Sequence, residues 1–240
     1  MSIPAIPTRH QDETAHRQRM AESINSIRDF TFDDSRVRTA AEIAAGVTPV
    51  NYAYEPYNIL RYWSGSGDID TAIASALAVC GSNGGRIRIP AGSYTTASQW
   101  NFNQKQGIVL EGDGTSTAGA SNATIITYSG TGSSPWILMT SAFGCQIRNM
   151  TLKHSSSSFT GPMIKIGNDG THGDSFQCNL IDVLMDAGLN TAYHLDLDHA
   201  IICEFVRVYF AGGAVSVKGQ AAAGGSYSNV IKFKQCQWAN

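Results

Sequence analysis

The chain has 240 residues, enough for one domain plus an appendage, and its 42% hydrophobic content is sufficient to bury a sizeable core. Only 15% of the residues are charged and 24 are Gly, a balance that suits a turn-rich all-β chain more than a helical enzyme. A net charge of −2 without a basic stripe argues against a nucleic-acid partner, and no stretch approaches the roughly 20 apolar residues of a membrane span, which argues against membrane insertion.

The N-terminus, Met1-Ser2-Ile3-Pro4, carries no apolar run of signal-peptide length. After a Pro-punctuated start, the stretch from Gln11 to Asp29 is charged and helix-prone, and Met20, Ile24 and Ile27 make a thin apolar stripe along it. One short helix cannot bury such a stripe, so it reads as a coiled-coil seam in an oligomer or as a helix that docks on a larger assembly. Residues 31 to 63 form a connector rich in Ala and Tyr that ends in Tyr52-Ala53-Tyr54-Glu55-Pro56-Tyr57 and Arg61-Tyr62-Trp63. The predicted division is therefore residues 1–63, an N-terminal attachment helix and connector, and residues 64–240, a capped β-structure.

The run Asp70 to Cys80 predicts a short helix capped by Asp68 or Asp70, with Ile73, Leu77 and Cys80 on one face. Arg86-Ile87-Arg88-Ile89 follows as a two-faced strand, broken by the turn Pro90-Ala91-Gly92. The arrangement of an Asp70-Thr71-Ala72-Ile73 helix, Gly84-Gly85, an alternating strand, Ile89-Pro90-Ala91-Gly92-Ser93-Tyr94 and then Ile108-x-Leu110-Glu111-Gly112 resembles the start of the pectate-lyase-like right-handed β-helix superfamily. The upstream run from Thr39 to Tyr52 is similar to the connector of bacteriophage tailspike and tail-fibre proteins with that fold. One departure is the acidic segment before the helix, shortened here to Gly65-Ser66-Gly67-Asp68-Ile69-Asp70-Thr71. The resemblance implies a homotrimer whose N-terminal region attaches to phage tail or baseplate proteins and whose β-helix binds or cuts a host surface polysaccharide.

The rest of the chain repeats one pattern: Cys145-x-Ile147-x-x-Met150-x-Leu152, Cys178-x-Leu180-x-x-Val183-x-Met185, Cys203-x-Phe205-x-x-Val208-x-Phe210 and Ile231-x-Phe233-x-x-Cys236-x-Trp238. Apolar residues two apart mark a strand with one buried face, and the x-x gap marks a corner. The starts at 145, 178, 203 and 231 give spacings of 33, 25 and 28, natural for stacked turns that differ in loop length. A second strand per turn is carried by Ile164-Lys165-Ile166, Leu195-Asp196-Leu197 and Val215-Ser216-Val217. The expected fold class is thus an all-β solenoid: a right-handed single-stranded parallel β-helix with a short N-terminal helix and an α-helical cap. Cys145, Cys178 and Cys203 fall at one inward position and predict a stack of buried, reduced thiols rather than a disulfide framework or metal site.

For chemistry, no Gly-x-Ser-x-Gly, metal-type His cluster or phosphate loop is present, so no cofactor or metal is expected and catalysis would rest on carboxylates. The candidate catalytic pair is Asp196 and Asp198, both outward if Leu195 and Leu197 are inward, hence about 6.6–6.8 Å apart by strand rise. That separation touches the window of about 6.5–9.5 Å for an inverting glycosidase. Lys165, one turn before Asp196, and Lys218, one turn after Asp198, offer the plainer account of a cross-strand charge ladder, to which His199 adds a neighbouring titratable group. Asn149 and Asp182 share the corner position and read as turn formers, while Glu111, Asp113, Asp169 and Asp174 lie in Gly-rich loops without an assignable role. Asn240 ends a strand without a capping helix, which predicts either a continuation of the β-structure or a partner that covers it. Three functions fit: a tailspike component of the virion, made without a signal peptide, that recognises polysaccharide; a polysaccharide-degrading lyase or glycoside hydrolase; and a bacterial surface adhesin. For this chain the balance leans away from an enzyme.

Overall fold

A computed structural model describes residues 37–82, 84–116, 122–188, 193–220 and 228–239. The apolar stripe of Met20, Ile24 and Ile27 lies outside the described residues. Residues from Thr39 to Asn240 make one compact unit. It opens with α1 (Ala40–Ala44), a single 3-10 turn (Ile59–Arg61) and α2 (Asp70–Cys80). The strands follow as β1 (Gly85–Arg88), β2 (Gly92–Thr96), β3 (Trp100–Asn101), β4 (Ile108–Glu111), β5 (Thr124–Tyr128), β6 (Ile137–Thr140), β7 (Gln146–His154), β8 (Pro162–Gly167) and β9 (Ser175–Phe176). They continue as β10 (Asn179–Asp186), β11 (Tyr193–Asp198), β12 (Ala200–Ile201), β13 (Glu204–Val206), β14 (Tyr209–Ala211), β15 (Val215–Gln220), β16 (Lys232–Lys234) and β17 (Gln237–Ala239). No described helix is long and apolar enough to cross a membrane.

The ladders between these strands are all parallel. The largest sheet runs β1-β4-β7-β10-β13-β16, with β2, β5, β14 and β17 beside it; a second runs β3-β6-β8-β11-β15, and β9 pairs with β12. The chain visits the sheets in a fixed order: β7, β8, β9, then β10, β11, β12. Neighbours in a sheet are therefore one full pass apart in sequence, and the protein is an all-β structure of parallel sheets with few helices.

Register turns the sequence repeat into columns. Ile87, Leu110, Ile147, Leu180, Phe205 and Phe233 are consecutive partners, as are Tyr94, Ile126, Leu152, Met185, Phe210 and Trp238. The pattern visible in four passes thus extends back through β1, β2, β4 and β5, where the loop between β4 and β5 interrupts its spacing. All members but Phe233 and Trp238, which close the columns, are buried. A fully buried Leu, Ile or Phe contributes about 1.5–3 kcal/mol, so these columns are the main source of stability. Phe205 stacks on Phe233 with ring centroids 4.9 Å apart, and Phe210 on Trp238 at 5.5 Å. In the second sheet, Trp100, Ile137, Ile164, Leu195 and Val217 form the corresponding column.

The expected corner is a single left-handed residue. Asn149, Asp182, Arg207 and Gln235 have φ of 57°, 54°, 51° and 54°, which turns the chain and brings the apolar residues on either side of the x-x gap back to the same face. In β7 and β10 the strand runs through this kink without ending. A second left-handed column, unread in the sequence, lies just before the Cys positions: Gly84, Gly107, Gly144, Gln177, Ile202 and Val230 all have positive φ.

The helices brace the first strands. Ile73, Leu77 and Cys80 are buried as expected, with Ala72, Ala76 and Val79 beside them. The expected Asp cap is corrected: Ile69 occupies the N-cap position without a side-chain hydrogen bond. Asp70, in the first turn, instead accepts from the β2–β3 turn: from Ala97 N at 2.9 Å, Ser98 N at 3.0 Å and Trp100 Nε1 at 3.2 Å, and also from Thr96 Oγ1. Ahead of it, buried Glu42 accepts from Arg61 Nε at 2.5 Å, Arg61 Nη2 at 3.0 Å and Tyr62 Oη at 2.9 Å, and closes a capping box with Thr39. Burial pushes the Glu42 pKa up, but Arg61, the Thr39 amide and Tyr62 outweigh it and hold the carboxyl at about 2. Ile59 and Tyr62 of the predicted connector belong to the same apolar core as α2.

Two predictions follow from the interior. Cys145, Cys178 and Cys203 are free and buried, whereas Cys236 is partly exposed, so a maleimide should label Cys236 first in the native protein. Labelling of the other three at the rate of an unfolded control would contradict the register. His154 and His194 are also buried, and His154 Nδ1, His154 Nε2 and His194 Nδ1 make no well-formed hydrogen bond. Burial lowers both pKa values below the ordinary 6.5, against a smaller upward pull from backbone groups and Asp186. The unfolded chain therefore takes up protons first, so this stability is complete above about pH 6.5 and is lost as pH falls towards the folded-state values. The melting temperature should drop between about pH 7 and pH 5, and a His154→Leu/His194→Leu variant should flatten that part of the profile.

Candidate functional site

The outer face of the second sheet gathers the candidate residues. On β11 the alternation holds, with Leu195 and Leu197 buried in the core. Exposure of the pair does not hold: Asp196 is only 6% exposed, while the Asp198 side chain is 18% exposed. Asp196 lies across from Lys165 on β8 and from Lys218 on β15; Asp198 lies across from Gly167 and Gln220. Lys218 was expected opposite Asp198. The difference is a slip of two residues, Val217 rather than Val215 pairing with Leu195, and a two-residue slip keeps every side chain on its face, so the hydrophobic pattern carries no mark of it.

The two carboxylates differ in their partners. Lys165 Nζ reaches diagonally to Asp198 Oδ2 at 3.5 Å, and His199 Nδ1 hydrogen-bonds Asp198 Oδ1 at 2.7 Å. Lys218 Nζ lies 5.6 Å from the centroid of the Tyr193 ring. Asp196 Oδ1 is left buried without a hydrogen-bond partner. Burial pushes the Asp196 pKa up; Lys165 and Lys218 pull it down and Asp198 adds to the rise, with a net upward shift. The two carboxyls thus stand in unlike surroundings: Asp196 is buried with one oxygen unpartnered, and Asp198 is bonded to a lysine and a histidine.

The loop after β8 starts at the Asp198 backbone. A Cβ at Gly167 would sit 1.8 Å from the Asp198 carbonyl oxygen, so only Gly permits the approach of β8 to β11 at this point. Asn168 N donates to that same carbonyl at 2.9 Å, and the segment 168–174 begins there. It carries a second histidine–carboxylate pair: His172 Nδ1 meets Asp169 Oδ2 at 2.7 Å, and Asp169 Oδ1 accepts from the backbone of His172 at 2.7 Å and of Thr171 at 2.8 Å. The His172 backbone amide, the His172 ring and the Thr171 amide hold the Asp169 carboxyl far below the usual range. Asp174 accepts from Asn168 Nδ2 at 3.2 Å. Asp169 and Asp174 lie in a loop, as expected, and their partners within it are His172, Thr171 and Asn168.

Elsewhere on the outer faces, charge is satisfied across strands. Glu111 ends β4 instead of lying in a loop and is bonded by Arg86 and Arg148, which together outweigh the upward push of burial on its pKa. Asp113 pairs with Arg88 at 3.2 Å, and Asp182 with Arg207 at 2.5 Å. With Glu55, Tyr57 and Asn58, the first of these pairs lines a polar cleft beside β1 and β4. Asn149 and Asp182 stand at the left-handed corner, as their types predict. Among the described residues, no group of His, Cys, Asp and Glu is arranged to hold a metal ion.

No family model matches the chain, and no curated protein matches it. Among solved structures, a protein of Parabacteroides merdae named as a "putative glycosyl hydrolase" is similar at 13% identity with a TM-score of 0.35, over 76% of this chain and 97% of that one. A likeness at that level carries no argument about activity.

The asymmetry of the pair sets opposite expectations for two isosteric substitutions. Asp198→Asn removes the acceptor of Lys165 and His199 and should lower stability by about 1–3 kcal/mol. Asp196→Asn removes a buried carboxyl with one oxygen unpartnered and should leave stability unchanged or raise it slightly at neutral pH. Chemical denaturation of both variants measures the difference, and equal losses would show that Asp196 is paired in solution.

Proposed function

We propose that this chain is a component of a phage tailspike or tail fibre. In this reading its strands wind as a right-handed parallel β-helix, α2 caps the first turn, and residues 1–63 attach a homotrimer to the tail. The outer face of the β-helix presents a surface for host polysaccharide. The observation that carries it is the fixed return of the chain to the same sheets in one register, with six-membered columns of like side chains. Such stacking makes a stiff body that lengthens without changing cross-section, which suits a part that must hold a binding face away from a particle. The run from Thr39 to Tyr52 supplies the phage side of the reading.

Degradation of the polysaccharide is the second reading, and the unlike surroundings of Asp196, buried with one oxygen unpartnered, and Asp198, bonded to Lys165 and His199, are what favour it. Recognition without cleavage stands ahead of it, because a general acid must reach the glycosidic oxygen and Asp196 Oδ1 is enclosed. Two measurements test the pair of readings. The intact chain should co-sediment with tail particles, and deletion of residues 1–38 should abolish this while leaving the circular dichroism and melting of the remainder unchanged. Absence of the intact chain from particles removes the virion reading. Release of reducing ends from host capsule, lost in both Asp196→Asn and Asp198→Asn, would replace recognition with cleavage.

A further inference from the structure

A cleft of about 470 Å³ opens between α2 and β3. Its volume falls within the range of about 300–1,000 Å³ typical of small-ligand sites. Ile73 and Leu77 of α2 and Trp100 of β3, all buried, form its floor, and Ala74 and Ala78, exposed on the helix, form one wall. β3 is the last strand of the second sheet, and Asp196 and Asp198 lie three strands away on β11, about 14 Å along the stack by strand spacing.

Among the described residues, the cleft lining carries one carboxylate, Asp70, and one ammonium, Lys105, and both are already engaged. Asp70 accepts from the Ala97 and Ser98 amides, from Trp100 Nε1 and from Thr96 Oγ1. Lys105 Nζ donates to the Gly81 carbonyl at 3.0 Å and to the Leu77 carbonyl at 3.5 Å, at the end of α2 where a cation is favoured. The two charges sum to zero, and an ionic ligand would have to displace one of these contacts. What remains for a ligand is neutral. Gln99 Nε2 donates to the Pro135 carbonyl at 2.7 Å, and Asn101 Oδ1 accepts from the Asn103 amide at 2.7 Å. A carbonyl can only accept and a backbone amide can only donate, so each contact fixes which way the side-chain amide points. Gln99 Oε1 and Asn101 Nδ2 are left over, an acceptor and a donor on exposed residues two positions apart.

Both amides are held before any ligand arrives, so binding costs little side-chain entropy. A sugar hydroxyl donates and accepts at once, and a vicinal pair of hydroxyls meets one fixed acceptor and one fixed donor while the C–H face of the ring covers the apolar floor. We infer that the cleft between α2 and β3 holds an uncharged sugar unit of the polysaccharide, with Gln99 Oε1 as acceptor and Asn101 Nδ2 as donor. Such a site presupposes the polysaccharide recognition proposed above and adds its place and the charge class of the sugar. An added peptide strand also offers donors and acceptors without charge, but β3 is two residues long and its edge is too short to hold one.

A printed array of neutral and of uronate- or sialate-bearing oligosaccharides, probed with the full-length chain, tests the site. Neutral members should bind, and binding should persist between about 0.05 M and 0.5 M salt, since no net charge is engaged. Asn101→Asp keeps an oxygen for the Asn103 amide and exchanges the donor for an acceptor, so melting should stay unchanged while affinity falls at least about tenfold. Ala74→Trp fills the cleft from the exposed helix face and should weaken binding as much. Binding of acidic members alone, or binding that collapses with salt, overturns the inference. Neutral binding that survives both variants overturns the cleft and leaves polysaccharide recognition standing, whereas an array with no binding removes that recognition as well. Enrichment of extended peptides from a random display library, blocked by Ala74→Trp, also overturns it and gives the cleft to a partner strand.

Discussion

The strands from Gly85 onward depend on one constraint: strands a full pass apart must pair in parallel and in register, so that each inward side chain lies on its equivalent. Leu152, Met185 and Phe210 show its consequence. They differ in shape but share a face, and a hydrophobic column tolerates changes of volume more readily than a change of face. Loops between strands vary in length without disturbing the columns, since each pass has only to return to the same pairing edge. The price of that return is paid at the corners, where residues such as Arg207 adopt left-handed backbone that side chains usually avoid.

The same constraint organises charge. A parallel register stacks outward residues as strictly as inward ones, and the outer faces answer with opposite charges in successive strands: Arg86 on Glu111, Asp182 under Arg207, Glu204 beside Lys234. Against that background two places depart from the pattern. Asp196 has lysines across from it on both sides, yet one bonds Asp198 and the other lies over Tyr193, so a carboxyl oxygen is buried unpaired. The cleft between α2 and β3 ties its carboxylate to the β2–β3 turn and its ammonium to carbonyls at the end of α2, which leaves neutral amides to face a ligand. Departures from a rule that the rest of the surface obeys are where function is most economically sought.

The segment before the strands is held by a different device. Glu42 gathers Thr39, Arg61 and Tyr62 around one carboxylate, and Ile59 and Tyr62 then pack with α2. Removing one partner from a buried pair leaves the other charge uncompensated, which makes this cluster a sensitive joint between the connector and the first strand. Asp70 makes a second joint, between the start of α2 and the β2–β3 turn. Together they anchor α1, the 3-10 turn and α2 to the start of the stack.

By itself the sequence determined the strand faces, the helix from Asp70 to Cys80, the corner at Asn149 and Asp182, and the single buried position of Cys145, Cys178 and Cys203. Each of these follows from a local period or from the backbone preference of one residue type. Only the tertiary structure decided which residues stand opposite one another on the second sheet, because a slip of two leaves the period unchanged and yet moves Lys218 from Asp198 to Asp196. It also decided the burial of Asp196, the pairing of His172 with Asp169, and the left-handed column at Gln177, Ile202 and Val230, where residue types give no warning. Those features arise from contacts between segments a full pass apart, and no local pattern encodes the distance between them.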